Sequence, residues 1–189
     1  RQRQMCIRDR DKTYETFKEE MGYVFDDDHA YANTKSRLRM VTLHQISASQ
    51  GGIVVGTGNK VEDFGVGFYT KYGDGGVDIS PLADLMKTQV WELGKELGIM
   101  QEIIDAPPTD GLWEDGRTDE DQLGGLTYPD MERAMMLDEL GAIPVEKDEE
   151  LLKKYRQIRS KNVHKMEPIP VFKINDYEEG KNIEFEKQQ

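Results

Sequence analysis

Residues 56–82, GTGNKVEDFGVGFYTKYGDGGVDISPL, interleave glycines with charges at fixed positions: Lys60, Glu62, Asp63, Lys71, Asp74 and Asp78. A folding core has no use for that mixture. Glycines let a backbone approach a ligand closely or take positive φ, and charges held along such a loop suit a polar, charged ligand. Thr57 has two readings, a hydroxyl facing a strand-end crevice or a plain turn residue. Glu62 suits Mg²⁺, because hard cations prefer oxygen ligands; taken alone it is also an ordinary surface glutamate. Lys71 and Asp78 bracket YGDGGV. The lysine is a point charge for phosphate or carboxylate, and the aspartate suits ribose hydroxyls. A glycine-rich hairpin turn with flanking charges is the other reading.

Four further places carry chemistry-bearing residues. Asn33 and Arg37 lie one helical turn apart on a shared face, where Arg37 can offer a planar fork to phosphate or carboxylate; in isolation the pair reads as a solvated face. Lys87 opens a helix, whose N-terminal amides favour anions. Thr109 follows Pro107-Pro108 in a rigid turn. His164-Lys165 follows a basic run, Lys153, Lys154, Arg156, Arg159 and Lys161, read as a solvated face balanced by the acidic residues of 146–150. No residue stands out as a covalent nucleophile.

These residues need a scaffold, and the bulk composition bounds it. A chain of 189 residues suits one domain or a large piece of one. At 37% hydrophobic and 33% charged it is polar, yet the apolar runs at 52–55 and 90–99 can build a core. No apolar run approaches the ~20 residues that span a bilayer, and no segment resembles a signal peptide, so the expectation is a soluble cytoplasmic protein. The net charge of −12 argues against broad binding to nucleic acid or anionic membranes but leaves small polyanions open. Cys6 is the single cysteine, which excludes an internal disulfide framework and any multi-cysteine zinc site. His29, His44 and His164 are too scattered for a histidine metal cluster.

Residues 1–10, RQRQMCIRDR, differ in composition from the acidic chain that follows; they read as translated vector or adapter sequence, a non-native leader, the alternative being a short basic arm. Residues 11–21 predict a helix with Tyr14, Phe17 and Met21 on one stripe. The triple aspartate 26–28 caps a long helix over 29–49, which Gly51-Gly52 ends. Ile53, Val54 and Val55 read as a short buried strand, and a helix leading directly into such a strand predicts a parallel α/β sheet with its ligands at the strands' carboxyl ends. Further helices are predicted over 87–98, with Val90, Leu93 and Leu97 on one stripe, and over 100–105, 128–140 (Thr127 as N-cap) and 148–162. Residues 109–126 form a long acidic loop, expected to be a mobile lid anchored only by Leu112 and Trp113. The tail 171–189 is expected to be weakly structured.

Together the motifs resemble the ammonia-dependent NAD⁺ synthetase family. N-x-x-x-R at Asn33–Arg37, Gly56-Thr57, Glu62, GFYTKYGDGGVDISPL at 67–82, Lys87, PTDGLWEDGRTDEDQLGGLTY at 108–128 and His164-Lys165 fall in that family's order and spacing, within a partial synthetase domain over 11–170. The resemblance implies a parallel-sheet, Rossmann-like adenine nucleotide hydrolase fold of the ATP pyrophosphatase type. It also implies ATP-dependent amidation of deamido-NAD⁺ with ammonia through an adenylated intermediate, giving NAD⁺, AMP and pyrophosphate. On that resemblance Thr57, Lys87 and Thr109 contact ATP. Glu62 binds Mg²⁺. Arg37, Lys71, Asp78, His164 and Lys165 contact deamido-NAD⁺, with Asn33 in support. A homodimer with the helix from His29 at its interface is implied as well. GMP synthetase ATPase domains share the fold but lack the TKYGDGG-x-D block.

One departure stands out. The family's phosphate-cradling loop, S-G-G-x-D-S, is absent from this sequence, as are the first strands of the sheet. The expectation is therefore an N-terminally truncated synthetase, inactive by itself. The alternative is a non-catalytic dinucleotide-binding or dimerisation remnant of the same fold.

Overall fold

The computed structural model describes residues 2–22, 25–141 and 143–173, with side chains from residue 11 onward. In chain order its elements are α1 (Gln2–Met21), α2 (Asp28–Gln50), a π-helical turn (Val61–Val66), α3 (Lys87–Glu96), α4 (Gln101–Ile104), α5 (Asp119–Gln122), α6 (Tyr128–Glu139) and α7 (Glu146–Met166).

Local signals account for most of these boundaries. The Asp27 carboxylate accepts the Ala30 amide at 2.6 Å and caps α2. Gly51 ends that helix at φ 65°, a left-handed backbone that glycine adopts without a Cβ penalty. Thr127 and Asp130 cap α6 reciprocally, with Pro129 in the first turn. Helix α7 extends past the predicted span at both ends and carries His164 and Lys165 in its last turn, since no proline interrupts it before Pro168. Helix α1 runs unbroken from Gln2, so the change of composition after residue 10 makes no break in the backbone. It packs on α2 through Tyr14 and Tyr31, whose rings meet edge to face at 5.9 Å. Phe17 and Met21, on the same predicted stripe, stay exposed.

The expected buried strand is not formed. Residues 53–55 are extended, but they join their neighbour by a single parallel bridge, Val55 to Ile79. The Gly56 amide donates to the Ile79 carbonyl at 2.8 Å and the Asp78 amide to the Val54 carbonyl at 2.9 Å. Val54 is buried, whereas Ile53 and Val55 are 59% and 52% exposed. A parallel strand loses both faces to solvent only with neighbours and covering layers on each side, and among the described residues this segment has one neighbour. The predicted α3 stripe is uncovered as well. Leu93 and Leu97 are exposed, and α3 is held instead by Trp91, edge to face with Tyr128 at 6.0 Å.

The core lies between the π-helical turn, α6 and α7. Val61 and Val66 meet Met131, Ala134 and Met135 of α6, and Leu152 and Tyr155 of α7, all buried. Leu123 and Leu126 join them, which corrects the expectation for 109–126. That segment contains α5, capped by Thr118, and two leucines worth about 1.5–3 kcal/mol each when fully buried. Its first half is also fixed: Trp113 stacks on His29 at 6.3 Å, its indole N–H donates to Gln122 at 2.8 Å, and Lys35 donates to the Leu112 carbonyl at 3.1 Å. Residues 171–173 are irregular, and the rest of the expected tail, 174–189, lies outside the described residues. Among the described residues no helix is long and apolar enough to cross a membrane.

Candidate active site

The π-helical turn places Glu62. At its start Asn59, 2% exposed, accepts the Val61 and Glu62 amides through one oxygen, at 3.1 Å each. At its end the last carbonyls lack intrahelical donors, as helix ends do. Arg159 donates to the carbonyls of Phe64 and, at 2.6 Å, of Gly65; Asn162 donates to that of Val66 at 2.9 Å. Arg159 is thus an anchor for the site rather than part of a solvated face. Glycine is required at position 67, where φ is 65° and a Cβ would approach that of Asn162 to 2.6 Å. With Val61 and Val66 committed to the core, Glu62 and Asp63 remain partly exposed. The Asp63 carboxyl lies against Gly58 and is pushed up to about 6, first by burial and then by Glu62 and Asp74.

A first polar cluster forms around Glu62. Its Oε1 accepts the Lys87 ammonium at 3.2 Å and the Tyr128 hydroxyl at 2.5 Å. The same hydroxyl lies 2.8 Å from Asp119 Oδ2, and the Lys87 ammonium sits 4.7 Å above the Tyr128 ring. Burial and the Glu62 and Asp119 charges push the Tyr128 phenol far above its ordinary value. Burial also raises the Asp119 carboxyl, against the opposing pull of the Tyr128 hydrogen bond. At the N-terminus of α3, Glu132 of α6 accepts the Thr88 amide at 2.9 Å and the Thr88 hydroxyl at 2.8 Å, so that amide is already taken by a carboxylate, while the Lys87 side chain reaches Glu62.

A second cluster forms where α2, residues 67–78 and the end of α7 meet. The Thr70 hydroxyl donates to Asn33 Oδ1 at 2.6 Å, and Arg37 Nε donates to the Lys71 carbonyl at 3.2 Å. Lys71 donates to the His164 carbonyl at 2.8 Å. Lys165 donates to the carbonyls of Gly67 at 2.9 Å and Tyr69 at 2.7 Å. Burial lowers its pKa, with Asp74 opposing and Arg37 adding to the effect. Ser36 and Asp74 tie the glycine turn to α2: the Asp74 carboxylate accepts the Ser36 hydroxyl at 2.8 Å and the Thr70 amide at 2.9 Å. Arg37, Lys71, His164 and Lys165, far apart in sequence, therefore border one surface.

Three of the sequence candidates stand apart from these clusters. Asp78 uses Oδ2 to accept the Val54 amide at 2.7 Å. Thr109 donates to the Arg117 carbonyl at 3.2 Å and accepts the Gly111 amide at 3.3 Å. Thr57 is exposed on the loop after residues 53–55. Asn59, Asp119, Tyr128 and Glu132 are site-building residues that the sequence reading passed over. Asp119 sits in an acidic run where nothing distinguishes it from Glu120 or Asp121. Tyr128 registers in the sequence only as the start of a helix.

The family described as NAD synthase matches residues 2–170. The NH(3)-dependent NAD(+) synthetase of Carboxydothermus hydrogenoformans is 42% identical over 72% of this chain and 52% of its own length. That of Archaeoglobus fulgidus is 40% identical over 78% and 57%. The chain thus spans about half the length of the curated relatives it matches. Among solved structures, an NMN synthetase from Francisella tularensis superposes with a TM-score of 0.72 at 35% identity, covering 85% of this chain and 63% of that one.

Proposed function

Because the chain belongs to the NAD synthase family, we propose that it supplies the substrate-binding part of an NAD⁺ synthetase, a ligase that forms a carbon–nitrogen bond. The observation that carries this reading is the pairing of two clusters across one π-helical turn. The Glu62–Lys87 pair lies at its start, and the surface bordered by Arg37, Lys71, His164 and Lys165 adjoins its end, where Lys165 donates to the Gly67 carbonyl. Two polyanions have to meet in this reaction, and two separate sets of charges suit that task.

In this reading the Lys87 ammonium leaves Glu62 for an ATP phosphate, with Thr57 and Thr109 on the same substrate. Arg37, Lys71 and Lys165 neutralise the deamido-NAD⁺ pyrophosphate, with His164, Asp78 and Asn33 completing its site. The nicotinate carboxylate attacks the α-phosphate and pyrophosphate leaves. Ammonia then attacks the acyl carbon, AMP leaves with the bonding pair, and the nitrogen gives up its proton. The protein positions these groups and stabilises their charge; none of its side chains forms a bond to substrate.

Mg²⁺ fits the donor set. Glu62 offers carboxylate oxygen, the ligand type hard cations select, and its present partner is itself a cation, Lys87 at 3.2 Å. When bound, the metal shields phosphate charge and orients the leaving pyrophosphate. The parallel Val55–Ile79 bridge supports a Rossmann-like parallel sheet, and the exposed Val41, Leu43 and Ile46 of α2 support a homodimer built on that helix. The reading also places the protein in the cytoplasm.

A second reading keeps the chemistry and changes the substrate. The NMN synthetase neighbour favours a nicotinate mononucleotide as the acid that is amidated. The test is to supply ATP, Mg²⁺ and ammonium with either deamido substrate and to measure amide product and AMP. A longer protein, the chain extended at its N-terminus with an S-G-G-x-D-S loop, is expected to form NAD⁺ and AMP in equal amounts, whereas the 189-residue chain is expected to bind deamido-NAD⁺ without turnover. Absence of AMP release with deamido-NAD⁺ refutes the first reading, and preferential amidation of the mononucleotide establishes the second.

A further inference from the structure

The Glu62 cluster is one hydrogen-bond donor short. Tyr128 has one hydroxyl proton, yet two carboxylate oxygens lie at hydrogen-bond distance from its oxygen, Glu62 Oε1 at 2.5 Å and Asp119 Oδ2 at 2.8 Å. Asp119 is 6% exposed, and its other oxygen, Oδ1, is buried with no hydrogen-bond partner at all. A buried polar atom without a partner costs about 1–3 kcal/mol, more when it is charged. The charges are unbalanced in the same direction: Glu62 and Asp119 face the single positive charge of Lys87.

We propose that Asp119 is a second carboxylate ligand, beside Glu62, for one divalent cation, and that Tyr128 is the positioning residue that fixes the two carboxylates relative to each other. The inference rests on the reading of Glu62 as a metal ligand. A cation supplies what the cluster lacks, a positive partner for oxygens that the phenol proton cannot serve. Among the described residues no group of three or more His, Cys, Asp or Glu side chains is arranged to hold a metal. Two carboxylates are nonetheless the usual protein share of a Mg²⁺ site, the remaining positions going to water and substrate phosphates. The assignment also gives α5 a purpose. Thr118 and Asp121 cap it, and Leu123 fixes it to the core, so Asp119 is held on an anchored element beneath an otherwise polar loop. Lys87, 3.2 Å from Glu62 Oε1, would compete with the cation for that carboxylate and would be free to face phosphate once displaced from it.

The test uses Mn²⁺ as the probe, titrated into the chain and followed by the loss of its free-ion EPR signal. Asp119→Asn and Glu62→Gln are each expected to weaken Mn²⁺ binding by at least about tenfold, the lower end of what even an outer partner of a metal ligand contributes. Lys87→Met, which removes the competing ammonium, is expected to tighten it severalfold; a merely structural role for the cluster predicts no such gain. Wild-type affinity in a folded Asp119→Asn variant overturns the proposal, as does failure of the wild-type chain to bind Mn²⁺. If Asp119→Asn loses its helical circular dichroism, Lys87→Met decides, and unchanged affinity there overturns it. Turnover assays separate this from the preceding proposal. A longer protein that makes NAD⁺ while its Asp119→Asn variant holds Mn²⁺ normally overturns the metal assignment alone. Absence of amidation with Mn²⁺ binding still dependent on Asp119 overturns the proposed reaction alone.

Discussion

Asp63 carries a charge that this fold accommodates poorly. Its carboxyl lies against Gly58, and burial, then Glu62, then Asp74 push it from 3.8 up to about 6. About two units at 1.36 kcal/mol each give about 3 kcal/mol, trimmed to about 2–3 because the side chain keeps a partly solvated edge. The sign follows from linkage. The folded state holds the proton more tightly than the unfolded state, so the penalty is absent below the ordinary carboxylate range. It grows as pH rises from about 4 to about 6 and is complete above that. Asp63→Asn keeps the shape and removes the charge. In chelator-treated buffer near pH 7.5 the variant is expected to be more stable than wild type by about 2–3 kcal/mol, falling to about 1 kcal/mol near pH 4.5. Urea unfolding followed by circular dichroism at several pH values reads both numbers. Parallel wild-type and variant stability curves across that range would refute the reasoning, because they would mean that Asp63 ionises as freely in the folded chain as in the unfolded one.

Three other perturbations test the same geometry. Gly58→Ala places a methyl group on the Asp63 carboxylate and should cost about 1–3 kcal/mol of urea stability; adding Asp63→Ala should recover at least about 1 kcal/mol of it, and strict additivity of the two changes would contradict the contact. Lys87→Ala in the longer protein should lower turnover severely while changing stability by about 1 kcal/mol or less, since its pair with Glu62 is partly exposed; full activity would remove Lys87 from the ATP site. Lys71→Ala should weaken deamido-NAD⁺ binding, measured by calorimetry, by about tenfold or more for loss of one phosphate-directed cation, and an unchanged dissociation constant would count against its place in that site.

The residues that bear charge and those that start and stop helices were legible in the sequence, because both are local properties. Asp27, Gly51 and Thr127 act on amides within a few residues of themselves, so spacing along the chain is enough to find them. The glycines of 56–82 likewise announce tight turns and close approaches, and at Gly67 the observed φ of 65° agrees. Which of those residues share a site was not local. Lys71 meets His164 across 93 positions and Tyr128 meets Glu62 across 66, pairings that depend on how α6 and α7 pack around the π-helical turn. Burial is decided at the same level. Asp119 is chemically identical to Asp121 in the sequence, and only packing beside Leu123 and Tyr128 removes one from water while the other caps a helix. The predicted strand at 53–55 shows the reverse case. Its β-branched residues favour an extended backbone, but a ladder requires successive pairings along a neighbour, and among the described residues this segment makes one bridge, Val55 to Ile79. Sequence by itself thus determined the chemical inventory and the local conformations. Tertiary structure decided which charges converge and which of them lose their water, because those depend on distances that the order of residues does not encode.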